Sequence, residues 1–222
     1  MSLIVQKYGG TSVANPESLK IVAEKIINAK KEDNQVVVVV SAMGSSTDEL
    51  ISLANELSEE PSPREMDMLL SAGERITMSL LAMHLNSLGY DSFSLTGSQA
   101  GIITTSRHGR AEIEKISGER VREGLEKGNI VIVAGFQGFN PDTREITTLG
   151  RGGSDATGAE PCTGSNNDGK SPSGLILPEG AMPIVPVQAG PRSERISPKR
   201  FEATTTSNLS GFNTKCAVKI SM

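Results

Sequence analysis

At 222 residues the chain is long enough to enclose a full hydrophobic core, and its length fits one domain or at most two. A formal net charge of −4, a pI near 5.4 and the lack of any basic block argue against a nucleic-acid footprint. With 3% aromatic residues and no Trp there are few platforms for stacking bases, and the two cysteines, Cys162 and Cys216, have no partner at metal-ligand spacing.

The opening residues carry no basic segment followed by a long apolar one, and no apolar run nears the length of a bilayer span. A cytoplasmic protein that engages neither membrane nor nucleic acid is expected. Leu3 to Lys7 reads as a first strand. From Pro16 to Ala29, apolar residues at Leu19, Val22, Ala23, Ile26 and Ile27 keep helical spacing, with Asn15 as N-cap and Pro16 at the first helical position. Gln35 to Val40 is an unbroken valine run, suited to a strand covered on both faces.

A second helix is predicted from about Thr47, with Asp48 and Glu49 in its first turn and Leu50, Ile51, Leu53, Ala54 and Leu57 as its apolar face. A third runs from about Glu65 to Leu88, its methionines read as core filler. Strands follow near Ser92 to Leu95 and Ile102 to Thr104, then a helix near Gly118 to Glu126 and a buried strand at Ile130 to Ala134. The alternation predicts an α/β fold, a three-layer sandwich around a mostly parallel central sheet. In such sheets ligands bind beyond the carboxyl ends of the strands, and Gly9-Gly10, Ser41 to Gly44 and Gly135 to Gly138 each follow such an end.

Two glycine-rich turns invite anions. In Lys7-Tyr8-Gly9-Gly10-Thr11-Ser12, glycines let backbone N–H groups approach a phosphate, and Lys7 adds a mobile positive charge. In Gly150-Arg151-Gly152-Gly153-Ser154-Asp155, the planar fork of Arg151 suits a carboxylate or a phosphate. Neither has Walker A spacing, and either turn alone would more often be structural punctuation. Two such turns, each with its own cation, point to phosphoryl transfer onto a small molecule bearing a carboxylate.

The chain also carries Lys7 to Val13, Val40-Ser41-Ala42-Met43, Ala72-Gly73-Glu74-Arg75, Thr96 to Gly101, Ala134 to Gly138 and Thr147 to Asp155, in that order. In these blocks residues 1–157 strongly resemble aspartokinase, of the amino acid kinase fold. The resemblance implies transfer of the γ-phosphate of Mg-ATP to the β-carboxylate of L-aspartate, on the route to lysine, threonine and methionine, with ATP and Mg²⁺ required. It implies that Lys7, with Tyr8, Gly9, Gly10, Ser41 and Ser154, faces the phosphates, and that Asp155 orients Lys7. Ser45, Ser46 and Thr47 are implied on the aspartate side, with Glu74 facing the ammonium and Arg151, Gly152, Gly153 and Ser154 at the α-carboxylate. No metal ligand is assigned, and a homo-oligomer is compatible with the family.

Competing readings accompany these roles. Glu74 could be one half of a surface ion pair with Arg75, and Asp155 a helix cap. His84 and His108, the only histidines, have no evident partner in the sequence and are left outside the site. Beyond Thr157 the resemblance stops: seven of the eleven prolines lie between Pro161 and Pro198, among Ser, Gly, Asn and Thr, and the stretch reads as loop or disorder. Pro161 would break the helix expected there, and no acidic pair replaces the one the family uses near the nucleotide. Residues 1–157 are therefore read as an aspartate-binding part and 158–222 as an atypical segment where the nucleotide-binding half would be. The alternatives are an inactive aspartate-binding or assembly subunit, or another amino acid kinase acting on acetylglutamate or glutamate.

Overall fold

The computed structural model describes residues 2–150, Thr157 and the strand segments 185–187 and 216–221. Its central sheet is parallel throughout. The strands are β1 (Leu3–Tyr8), β2 (Gln35–Val40), β3 (Ser92–Leu95), β6 (Ile130–Ala134), β9 (Val185–Val187) and β10 (Cys216–Ser221), in the order β3-β6-β2-β1-β10-β9. Val36 to Val40 are wholly buried because both faces of this sheet are covered, as the unbroken valine run requires.

On one face lie α1 (Pro16–Lys31) and α3 (Pro63–Ser87), which close a core of Leu19, Val22, Ile26, Leu81 and Leu85 against Val36, Val38, Val40, Ile130 and Ile132. The other face packs Val37, Val39, Val131 and Val133 against Val121 and Leu125 of α4 (Glu119–Glu126) and against Ile102 and Ile116. These two isoleucines belong to a second sheet of β4 (Ile102–Thr104), β5 (Ile113–Ile116), β7 (Gln137–Asn140) and β8 (Glu145–Thr148), ordered β5-β4-β7-β8. Three layers result.

Asn15 caps α1 as expected, its Oδ1 accepting the Ser18 N–H at 2.8 Å. Other expectations are revised. The helix α2 (Ser46–Leu57) buries no residue, and Leu57 is 91% exposed, so its apolar stripe is not the core face that its spacing suggested. Of the α3 methionines only Met78 is buried, while Met68 and Met83 are exposed. Gln137 and Gly138, read as the end of a turn, open β7, and of the second sheet only β4 was anticipated. Its strands have three or four residues, too few for alternation to stand out. Cys216–Ser221 pairs with all six residues of β1, and Pro186 falls in the edge strand β9, where a missing N–H is tolerated.

Candidate active site

All strands from Gln35 to Ala134 in the parallel sheet lie on one side of β1, and β9 and β10 lie on the other. The strand order therefore reverses at β1, and the crevice beyond its carboxyl end is the position where open parallel sheets bind ligands. Lys7 and Tyr8 end that strand. Gly9 leads into a short 3₁₀ turn, Gly10–Val13.

Three segments are tied together there. The Ser41 N–H donates to the Tyr8 carbonyl at 3.0 Å, the Gly44 N–H to the Gly10 carbonyl at 3.0 Å, and the Gly135 N–H to the Val40 carbonyl at 2.9 Å. The turns after β1, β2 and β6 are thereby fixed relative to one another. Gly10 is needed for this approach, since a Cβ there would stand 3.0 Å from the Ala42 carbonyl oxygen.

Lys7 is only 7% exposed, and its Nζ lies 3.6 Å from where a side chain on Gly9 would begin. The ammonium is thus held over the glycine turn. Tyr8 offers the turn its backbone: its ring is in the core, its hydroxyl donates to Gln6 Oε1 at 3.1 Å, and burial pushes its phenol well above the usual range. Ser41 follows β2 at the same rim. Ser45 Oγ donates to Glu49 Oε1 and Ser46 Oγ to the Met43 carbonyl, so both hydroxyls serve the start of α2, and half-buried Thr47 stands in its first turn.

The buried stripe of α3 supplies the opposing charge. It runs Asp67, Ser71, Glu74, Thr77, Met78, Leu81, Leu85, polar in its first half and apolar in its second. Glu74 is 3% exposed, and no ion pair with Arg75 forms among the described residues, which removes the surface-pair reading. Its Oε1 accepts the Ala42 N–H at 3.2 Å, while Oε2 has no hydrogen-bond partner among the described residues. Gly73 permits this contact, because a Cβ there would come within 2.7 Å of the Ala42 Cβ. Burial pushes the Glu74 carboxyl up from 4.5 to about 7, outweighing backbone hydrogen bonds that pull it down. A buried carboxyl with an unsatisfied oxygen is costly unless a cation completes it.

Lys7, Gly9, Gly10, Ser41 and Glu74, predicted from sequence, thus meet at one end of the sheet. Arg151, Gly152, Gly153, Ser154 and Asp155 lie outside the described residues. The strand that leads to them, β8, is bound to α3 through the Asp67 carboxylate and Thr148 Oγ1, 2.5 Å apart. That carboxylate also accepts from His108 Nδ1 at 2.7 Å, correcting the expectation that no residue pairs with the histidines. No sequence signal joined Asp67 to His108, because 41 residues separate them. Among the described residues no three His, Cys, Asp or Glu cluster as a metal site, and no helix is long and apolar enough to cross a membrane.

Residues 2–161 match the model of the amino acid kinase family. The chain belongs to that family. Within it, the chain is 58% identical over 157 residues to the aspartokinase of Mycolicibacterium smegmatis, an alignment covering 71% of this chain and 37% of that protein. Aspartokinase 2 of Bacillus subtilis is 59% identical over 157 residues, covering 71% of this chain and 38% of the relative. The chain therefore spans little more than a third of the length of these relatives. The aspartate kinase of Synechocystis superposes with a TM-score of 0.60 at 46% identity, covering 69% of this chain and 25% of that one. E. coli aspartokinase III, solved with aspartate and ADP, has the same fold at a TM-score of 0.61 and 24% identity, covering 69% of this chain and 45% of that one.

Proposed function

We propose that this chain carries the catalytic unit of an aspartate kinase, an ATP-dependent phosphotransferase that makes 4-phospho-L-aspartate for the biosynthesis of lysine, threonine and methionine in the cytoplasm. The observation that carries this reading is Glu74, a buried carboxyl with one oxygen unpartnered, at the same sheet end as the Lys7 glycine turn. A substrate with a free ammonium satisfies that oxygen. An N-acylated amino acid would not, which disfavours acetylglutamate.

In this reading the ammonium of aspartate meets Glu74, Thr47 lines the same side, and Arg151 grips the α-carboxylate with its fork, flanked by Gly152, Gly153 and Ser154. The β-carboxylate oxygen attacks the γ-phosphorus as the bond to the bridging oxygen of ADP breaks, giving an acyl phosphate. Lys7 neutralises charge spread over the transferring oxygens, with Gly9, Gly10 and Ser41 supporting the phosphates and Asp155 orienting the lysine. Positioning and charge neutralisation supply the catalysis. Mg²⁺ held by the nucleotide's own phosphates would offset their charge. Residues 1–157 form the aspartate-binding part, and 158–222 stand where the nucleotide half would be. The partners are the two substrates and, as in many enzymes, further copies of the same chain.

Calorimetric titration of the chain with L-aspartate, N-acetyl-L-aspartate and L-glutamate tests the reading. Aspartate should bind, and the acetylated compound should not. Arg151→Lys should weaken aspartate binding although it keeps the charge, because an ammonium cannot form two parallel hydrogen bonds. Equal binding of aspartate and its N-acetyl derivative would refute the role given to Glu74 and the substrate with it.

A further inference from the structure

Asp67 is wholly buried near the start of α3, seven residues before Glu74 on the same stripe. Its Oδ1 accepts Thr148 Oγ1 at the end of β8, and its Oδ2 accepts His108 Nδ1 at 2.7 Å. The Gly109 N–H reaches both oxygens, at 3.0 and 3.2 Å. Thr148 Oγ1 and the Gly109 N–H donate to the carboxylate, and His108 pairs with it in the tautomer that carries a proton on Nδ1. One side chain thus joins three elements distant in sequence: α3, the loop between β4 and β5, and the last residue of β8.

The loop grips β8 a second time. The Ala111 N–H donates to the Thr148 carbonyl at 2.9 Å, and a Cβ on Gly150 would stand 3.3 Å from the Gly109 carbonyl oxygen. Gly150 itself takes a φ of +76°, so the chain turns sharply there, one residue before Arg151. His108 is 23% exposed in its side chain, so this is the outer wall of the cluster, with Asp67 behind it.

We infer that Asp67 and His108 are positioning residues: they fix where the chain leaves β8 at Gly150, one residue before Arg151, relative to Glu74 on the same helix. The inference rests on the aspartate-kinase reading for the role of Arg151. The latch itself rests on geometry alone. Because α3 carries both Asp67 and Glu74, the two ends of the substrate are referred to one rigid helix.

The test uses His108→Ala, His108→Asn and Thr148→Val in the full chain. Asn places its Nδ2–H where His places Nδ1–H, so it keeps the bond to Asp67 and discards the rest of the ring. Thr148→Val removes only the hydroxyl bond. His108→Ala and Thr148→Val should each weaken L-aspartate binding about tenfold, the size expected for losing one hydrogen bond to a charged group. Tripolyphosphate affinity, read at the Lys7 turn, should stay within about twofold, and His108→Asn should recover most of the aspartate affinity. In parallel, hydrogen exchange at the Gly109 and Ala111 amides should quicken in His108→Ala and return to the parent rate in His108→Asn.

Unchanged aspartate affinity in His108→Ala and Thr148→Val, equal losses for aspartate and tripolyphosphate, or a His108→Asn variant as weak as His108→Ala would each overturn the positioning role. Exchange at Gly109 and Ala111 that ignores His108→Ala would overturn the latch. A parent chain that binds tripolyphosphate but no aspartate would defeat the substrate reading instead, and the exchange rates would still decide whether the latch exists.

Discussion

Burying Glu74 with one oxygen unpartnered among the described residues carries a pH-dependent cost. Its folded carboxyl titrates at about 7, above the ordinary 4.5, so between these values the folded chain holds a proton that the unfolded chain has released. Stability should fall as pH rises through this window, by about 3 kcal/mol at most, and level off above it. Urea unfolding of Glu74→Gln, followed from pH 5 to pH 8, should show a flatter dependence and no loss of stability at pH 8. Aspartate binding should run the other way in the parent chain: its ammonium favours the ionised carboxyl, so affinity should drop as pH falls below about 7. In Glu74→Gln it should be weak at every pH. Lys7→Ala should lower kcat by about 10²- to 10³-fold with aspartate affinity nearly unchanged, because the charge it meets builds up on the phosphoryl group during transfer. Parallel losses in kcat and aspartate binding would move Lys7 to the substrate side.

The parallel-sheet strands through Ala134 and the helices α1 and α3 were legible in the sequence because each is long or has strong periodicity. Gln35–Val40 and Ile130–Ala134 have the bounds expected of them. Of the second sheet only β4, Ile102–Thr104, was legible. Its short strands are specified by contacts across the fold, such as the buried Thr104–Thr147 hydroxyl pair at 2.6 Å and the Asn140 Nδ2–H donating to the Thr104 carbonyl at 2.6 Å. Asp67 was missed for the same reason: in the sequence it is one acid on a charged helix start, and only the fold brings Thr148 and His108 to it. Gly97 depends on such a contact too. A Cβ there would stand 2.0 Å from the Gln137 carbonyl oxygen, which is backbone and cannot yield cheaply. Gly97→Ala should therefore cost about 3 kcal/mol, seen as a lower urea midpoint with an unchanged slope. A midpoint equal to that of the parent would mean that the turn after β3 and the start of β7 do not pack this closely.

The topology places the Lys7 glycine turn where strand order reverses, and family membership rests on residues 2–161. Segments of the chain beyond those residues contribute β10 and β9 beside β1, so the tail completes the sheet on which Lys7 sits. The match to the family model ends at residue 161, and in the proposed reading the base of the nucleotide would be recognised beyond it. ATP, GTP and tripolyphosphate should accordingly raise the melting temperature to similar extents with Mg²⁺, since the glycine turn reads phosphates and not bases. A marked preference for ATP would mean that residues 158–222 build an adenine pocket.

In the proposed function this sheet end passes a phosphoryl group to aspartate. Incubation of the full chain with Mg-ATP, L-aspartate and hydroxylamine traps any acyl phosphate as aspartyl hydroxamate. Hydroxamate should form from L-aspartate and not from N-acetyl-L-glutamate or L-glutamate, and its yield should fall at least about a hundredfold in Lys7→Ala. A parent chain that binds aspartate and nucleotide but forms no hydroxamate, or forms it equally well with Lys7→Ala, would contradict the proposed function.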